Sequence, residues 1–370
     1  MLPGGFGALG CAVCLFLFPF VWAVWMAVLL LWLLDASNNT AMEPYRAFIA
    51  DKLPPSQLGK GFLAQSFFTG LGITLANLSL MFFQGVFGLG QSVGIPLWVY
   101  PAFLLGSVCS IATVLISVLS TPELEPTEKE LAELRASKGG PGHFIAEIKD
   151  AIIDMPIEMR KLALVYLFQW YAMNIYWQYV SLSVSQSLYG TTDARSEGYQ
   201  LAVANTGVIN GAYNIVTFCV AFGLVALARR LGAKWVHAIA LWCATVGLLL
   251  FPQMPTLPLK VVAIVGLGIA WASIMGVPYI MIVRMVPSTR YGVYMGIVNM
   301  MIVIPMLIQT LTFGAIYKNL LGGNPNNAIM AAGILLGIAG LVMLWVKEPP
   351  IVRDIEPVGS GDETVTTKGA

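Results

Sequence analysis

The chain has 370 residues, of which 58% are hydrophobic and 11% charged, with a net charge of +1. Soluble domains carry about 25% charged residues, so this composition excludes an ordinary soluble domain. The small net charge leaves no bulk field to attract nucleic acid. The charges come in clumps separated by long apolar stretches, the pattern of a polytopic, all-α membrane protein.

A spanning helix needs about 20 mainly apolar residues. Spans are predicted near 4–18, 21–48, 61–84, 95–119, 162–188, 200–228, 235–251, 260–283, 292–317 and 327–346. Residues 2–34 form one uncharged run, too long for a single comfortable helix, and Pro19 divides it. No basic region opens the chain, so a cleaved signal peptide is not expected. Cys11 and Cys14 form a C-x-x-C flanked by Leu and Phe, which reads as small helix-facing residues rather than a metal or redox motif. His143 and His237 lie in or beside charged segments, so no metal site and no cofactor are expected. No phosphate-binding glycine loop is present, which argues against ATP-driven work by this chain.

Lys and Arg mark the cytoplasmic side of short loops. One set of connections carries Lys52, Lys60, Arg160, Lys161, Arg229, Arg230, Lys234, Arg284, Arg290, Lys347 and Arg353. The opposite set carries Arg195, Lys260 and Lys318. The sets alternate span by span, which places both termini in the cytoplasm. The polar stretch 120–160 reads as a cytoplasmic linker, with Phe144, Ile148, Ile152 and Met155 at the spacing of an amphipathic surface helix. It separates a four-helix N-terminal bundle (1–119) from a six-helix C-terminal bundle (161–348), and a polar, disordered tail (349–370) is expected. Residues 42–61 and 275–296 repeat a pattern in which Pro44-Tyr45 matches Pro278-Tyr279, Pro54 matches Pro287 and Gly59 matches Gly292. The repeat implies ten helices of a twelve-helix, two-bundle design, with two helices and a basic loop expected ahead of the first span.

Three clusters carry the chemistry. Asp35 falls near the middle of its span, where a charged carboxyl costs about 2.5–3.5 kcal/mol. A carboxyl that gains and loses a proton at that depth suits proton coupling, or else makes a structural hydrogen bond to a neighbouring helix. Asn39 lies one turn from Asp35, and Glu43 one turn further. Arg46 returns to within about 20° of the Asp35 face, roughly 16 Å away along the axis. Alternatively Arg46 reaches the inner headgroups, with Glu43 as its partner. The second cluster, QWYAMNIYWQYVSLSVSQ at 169–186, holds Trp170, Tyr171, Asn174, Trp177 and Gln178. Aromatic faces stack on sugar rings and amides meet their hydroxyls, while the plainer reading is an interfacial aromatic belt. The third holds Asn205, Asn210 and Asn214 beside Gly207 and Gly211, either sugar ligands or close helix packing with polar glue. Gln65, Asn77, Asn299 and Gln309 are weaker candidates. Gly70, Gly72, Gly266 and Gly268 read as packing or rocking surfaces.

The segment LLDASNNTAMEPYRAFIAD resembles the fourth helix of the sucrose–proton symporters of plants and their bacterial and animal relatives, within the major facilitator superfamily and close to the glycoside–pentoside–hexuronide cation symporters. Asp35, Asn38, Asn39, Pro44, Arg46 and Ala47 match its pattern. GIAWASIMGVPYIMIV (268–283) and GVYMGIVNMMIVIP (292–305) resemble the tenth and eleventh helices. The resemblance implies a major facilitator-type fold and no enzyme. It also implies a sucrose- or maltose-type glucoside substrate moved by alternating access, with Asp35 and Arg46 as the proton-coupling pair and Asn38 added to the sugar path. The family's first two helices have no counterpart here. The expected partners are a sugar, a proton and the lipid bilayer, and the expected location is a bacterial inner membrane. Sodium coupling, or a truncated scaffold that transports nothing, are the alternatives.

Overall fold

The structure, a computed structural model, describes residues 2–52, 55–92, 94–120, 149–286 and 291–348, and among them the side chains of 2–4, 42–67, 69, 118, 225, 229, 280, 283, 284, 291 and 292 lie outside the description. Ten α-helices follow one another in the described residues. They are α1 (Leu2–Leu17), α2 (Val24–Lys52), α3 (Pro55–Phe87), α4 (Val99–Ser120), α5 (Ile157–Tyr189), α6 (Glu197–Leu231), α7 (Ala233–Leu250), α8 (Leu257–Met285), α9 (Tyr291–Asn319) and α10 (Pro325–Met343). Each corresponds to one predicted span. Seven helices in the described residues are long and apolar enough to cross a membrane. The chain is an all-α polytopic membrane protein.

Local chemistry sets the breaks. A 3-10 turn, Phe18–Phe20, carries Pro19 between α1 and α2, where the sequence divides the run. The helix predicted from 95 begins at Val99, because Ile95–Pro96 pairs antiparallel with Gln91–Ser92 around Gly94, whose φ of 79° suits glycine. Ser196 caps α6 by accepting the Tyr199 amide at 3.2 Å, and Asn324 caps α10 through the Asn326 amide at 2.9 Å. Gly190, at φ 67°, closes α5. α2 continues through Pro44 to Lys52.

Helices α5 to α10 share one buried core that runs from Ala151 to Val346. In it α8 packs on α7 and α6, α10 on α5 and α7, and α5 on α9 and α6. The N-terminal helices are covered far less. α1 lies between α2 and α4, and α3 lies mainly against α6 rather than against α2 or α4. Gly7 and Gly10 let α1 approach α2, since a Cβ on Gly7 would stand 2.6 Å from the Ser37 carbonyl oxygen. Cys11 and Cys14 are buried free thiols in this contact.

The glycine pairs, equivalent in the sequence, part company in the structure. A Cβ on Gly266 would strike the Cys243 carbonyl of α7, and one on Gly268 would come within 2.7 Å of the Tyr213 carbonyl of α6. Around Gly70 and Gly72 there is open space. Gly207 and Gly211 seat α6 on Asn77, Leu78 and Leu80 of α3, as the packing reading of that cluster expects.

Two clips close the same end of the C-terminal bundle. The Glu348 carboxylate accepts the amides of Ala233 (2.9 Å) and Lys234 (3.3 Å), two of the unpaired donors that open α7. Glu158 accepts the Lys347 amide and pairs with Lys161 at 2.8 Å. Partial burial raises the Glu158 pKa, but the bonds from Lys161 and Lys347 outweigh it and hold the carboxyl below its ordinary value. At the opposite end Lys260, assigned by the sequence to a loop, is fully buried. Its ammonium donates to the Phe251 carbonyl at 2.8 Å and lies 4.5 Å from that ring's centre. Of the predicted linker, Phe144 and Ile148 lie outside the described residues. Ala151 and Met155 pack on the core, while Ile152 is exposed.

Replacing Lys260 with Ala leaves the Phe251 carbonyl with the Met254 amide as its one remaining donor and opens a cavity, so the thermal midpoint in detergent should fall, corresponding to a loss of about 1–3 kcal/mol. Gly266→Ala forces α7 and α8 apart and should cost about 1–3 kcal/mol. Gly72→Ala should leave the midpoint unchanged, and equal effects of the two glycine substitutions would contradict the described packing.

Candidate functional site

Helix α5 is 33 residues long but is not among the seven apolar enough to span by composition. Its polar residues are instead wrapped by α6, α9 and α10. Lipid offers no hydrogen bonds, so a polar helix is stable in a bilayer only when neighbouring helices supply them. Residues 170, 174 and 177 fall on one side of this helix by its 3.6-residue period.

Trp170 and Trp177 meet Trp271 of α8 in a three-ring cluster. Trp177 and Trp271 stand edge to face at 5.5 Å and 85°, and Trp170 and Trp271 at 5.9 Å and 77°. Trp170 and Trp177 are 6.4 Å apart. Trp170 is 6% exposed and its indole N–H has no hydrogen-bond partner. The other two rings are half-buried. Such a cluster offers apolar faces of the kind that stack on a sugar ring, with the enclosed Trp170 N–H left unpaired behind them.

Amides surround it. The Asn174 amide donates to Gln309 Oε1 at 2.5 Å and to the Met306 carbonyl at 3.2 Å on α9. Gln309 in turn donates to Gln178 Oε1 at 3.1 Å. Asn174 and Gln309 are buried, while Gln178 is exposed. On the α6 side Tyr176 donates to Asn210 Oδ1 at 2.8 Å, and Asn214 donates to the Asn210 carbonyl at 2.8 Å. Asn205 is not part of this group; it donates to the Tyr189 hydroxyl at 2.6 Å.

The remaining expected residues stand elsewhere. Tyr171 bonds Thr312 at 2.8 Å and packs on Phe313. It borders an apolar cavity of about 450 Å³ between α5, α9 and α10. Asn299 is exposed on α9. The side chains of Glu43, Arg46 and Gln65 lie outside the described residues.

Asp35, expected in an enclosed place, is exposed, as are Asn38 and Asn39. The reason is the packing of α2, whose neighbours are α1 and, lightly, α3. Its other face meets no described helix. Asn39 turns back to donate to the Asp35 backbone carbonyl at 2.9 Å. The described contacts therefore do not bring the α2 residues and the α5 cluster into one site.

Two participants were not picked out in the sequence. Trp271 sits in an apolar run of α8, far along the chain from its ring partners. His237, expected beside a charged loop, is fully buried. Its Nδ1 lies 2.9 Å from Ser273 Oγ and its Nε2 3.1 Å from Gln169 Oε1. It stands only three residues past Lys234, but the turn of α7 carries it into the core.

No family model matches the chain. Its sequence is similar to the sucrose transport protein SUT5 of Oryza sativa subsp. indica and to that of subsp. japonica. Each is 25% identical over 377 residues, covering 89% of this chain and 67% of the relative. The similarity thus runs through nearly all of the chain, and it is to transport proteins rather than to an enzyme.

Proposed function

We propose that the chain is a secondary active transporter for a sucrose- or maltose-type glucoside, built on a major facilitator-type two-bundle plan. The carrying observation is the three-tryptophan cluster of α5 and α8, with its unpaired Trp170 N–H, set among the amides of α5, α6 and α9 inside a membrane bundle. The similarity to a sucrose transport protein points the same way. The sugar ring stacks on the half-buried faces of Trp177 and Trp271, and Gln178, Asn210 and Asn214 meet its hydroxyls. Alternating access of the two halves around this site carries the sugar across. The protein then sits in a bacterial inner membrane with both termini in the cytoplasm.

Proton symport runs through α2, with Asp35 as the proton acceptor and Arg46 and Glu43 as charged neighbours on the same helix. Among the described residues the Asp35 carboxyl has no ion pair, and a lone carboxylate at mid-span is costly in lipid, which supports a functional rather than a packing role for it. The same exposure of α2 favours a second reading, in which the chain alone binds sugar but moves none until another membrane segment covers this face.

In proteoliposomes, Trp177→Ala should raise KM for labelled sucrose or maltose at least about tenfold, the loss of one good aromatic contact. Trp345→Ala, at a ring 67% exposed on the outside, should not change it. Asp35→Asn should abolish uphill uptake driven by a proton gradient while counterflow continues. Uphill uptake at the parental rate would remove Asp35 from the coupling step, and binding without counterflow in the parent chain would favour the second reading.

A further inference from the structure

His237, Gln169 and Ser273 are each fully buried and lie on three different helices, α7, α5 and α8. With the Gln169 amide oxygen toward the ring, Nε2 must carry the hydrogen, because that oxygen only accepts. Nδ1 then accepts from the Ser273 hydroxyl. The neutral ring is thereby held in a single tautomer and a single orientation. Its two partners are close in sequence to the tryptophan cluster. Gln169 precedes Trp170, and Ser273 follows Trp271 by two residues, on the far side of its helix. Helices α5 and α8 have few backbone contacts with each other, whereas α7 packs along α8. The angle between the Trp170 and Trp271 rings is therefore not set by direct α5–α8 packing.

We propose that His237 is a positioning residue for the glucoside site, which ties the flank of α5 to the back of α8 and so fixes how Trp170 and Trp271 meet. This rests on the transport reading above. His237 does not touch the sugar; it holds the two helices whose other faces do. A buried imidazole with both nitrogens engaged resists rotation, since turning it would leave Gln169 and Ser273 unpaired in an apolar core.

The test uses the full chain in proteoliposomes with labelled sucrose and maltose. His237→Leu should raise KM about tenfold with Vmax within about twofold, and His237→Gln, which keeps a donor and an acceptor, should recover most of the affinity. A double-mutant cycle then separates positioning from general damage. If His237 acts through the ring, His237→Leu should add little to KM once Trp271→Phe has been made. Ser273→Ala, which removes one bond only, enters the same cycle if His237→Leu yields no folded protein. Parental KM in both His237→Leu and Ser273→Ala, or effects that add in full to Trp271→Phe, overturn the assignment and leave the transport reading standing. A parent chain that neither binds nor transports either sugar overturns the transport reading and this assignment with it.

Discussion

The arrangement of the C-terminal half follows from the polarity of one helix. Helix α5 carries Gln169, Asn174, Gln178, Ser183 and Ser185 along a length that must cross hydrocarbon. None of these groups can be satisfied by lipid. Gln309 of α9 answers Asn174, His237 of α7 answers Gln169, and Asn326 of α10 accepts from Ser183 at 2.7 Å. Each bond draws a different neighbour against α5. The apolar helices α7, α8 and α10 then fill the space between with small residues and glycines, whose close crossings leave no room for a Cβ. A helix too polar for lipid is thus the post around which the others are arranged.

The two halves of the chain contrast for the same reason. Helix α2 is the other polar span, with Asp35, Asn38, Asn39 and Thr40 on its exposed side. Its neighbours α1 and α3 offer that side nothing, so Asn39 and Thr40 bond back to carbonyls four residues earlier, Thr40 to Ala36 at 2.7 Å. On α5, by contrast, Asn174 and Ser183 reach across to α9 and α10.

Much of this was legible in the sequence. The ten spans follow from runs of apolar residues, and Pro19 marks the division of the first run. Boundaries slipped where short-range geometry intervened, as at Pro96, whose hairpin delays α4. The α5 cluster was legible because Trp170, Asn174 and Trp177 are close in sequence and conspicuous in an apolar span. Trp271 was not, and Gln309 stood out only weakly, because their roles depend on which helices become neighbours. Lys260 and His237 were misplaced for a related reason. Nearness to a loop says where a Cα lies, whereas burial depends on where the side chain turns. The exposure of Asp35 belongs to the same class, since the centre of a span can face either a partner or nothing.

The tryptophan cluster has a consequence for how the molecule can be observed. Three indoles with ring centres 5.5 to 6.4 Å apart interact electronically as well as sterically. Their absorption bands couple, and the sign and strength of that coupling depend on the angles between the rings. A few degrees of rotation between α5 and α8 therefore alters the near-ultraviolet circular dichroism of the unlabelled protein. The helices that frame the cluster carry their own optical protractor.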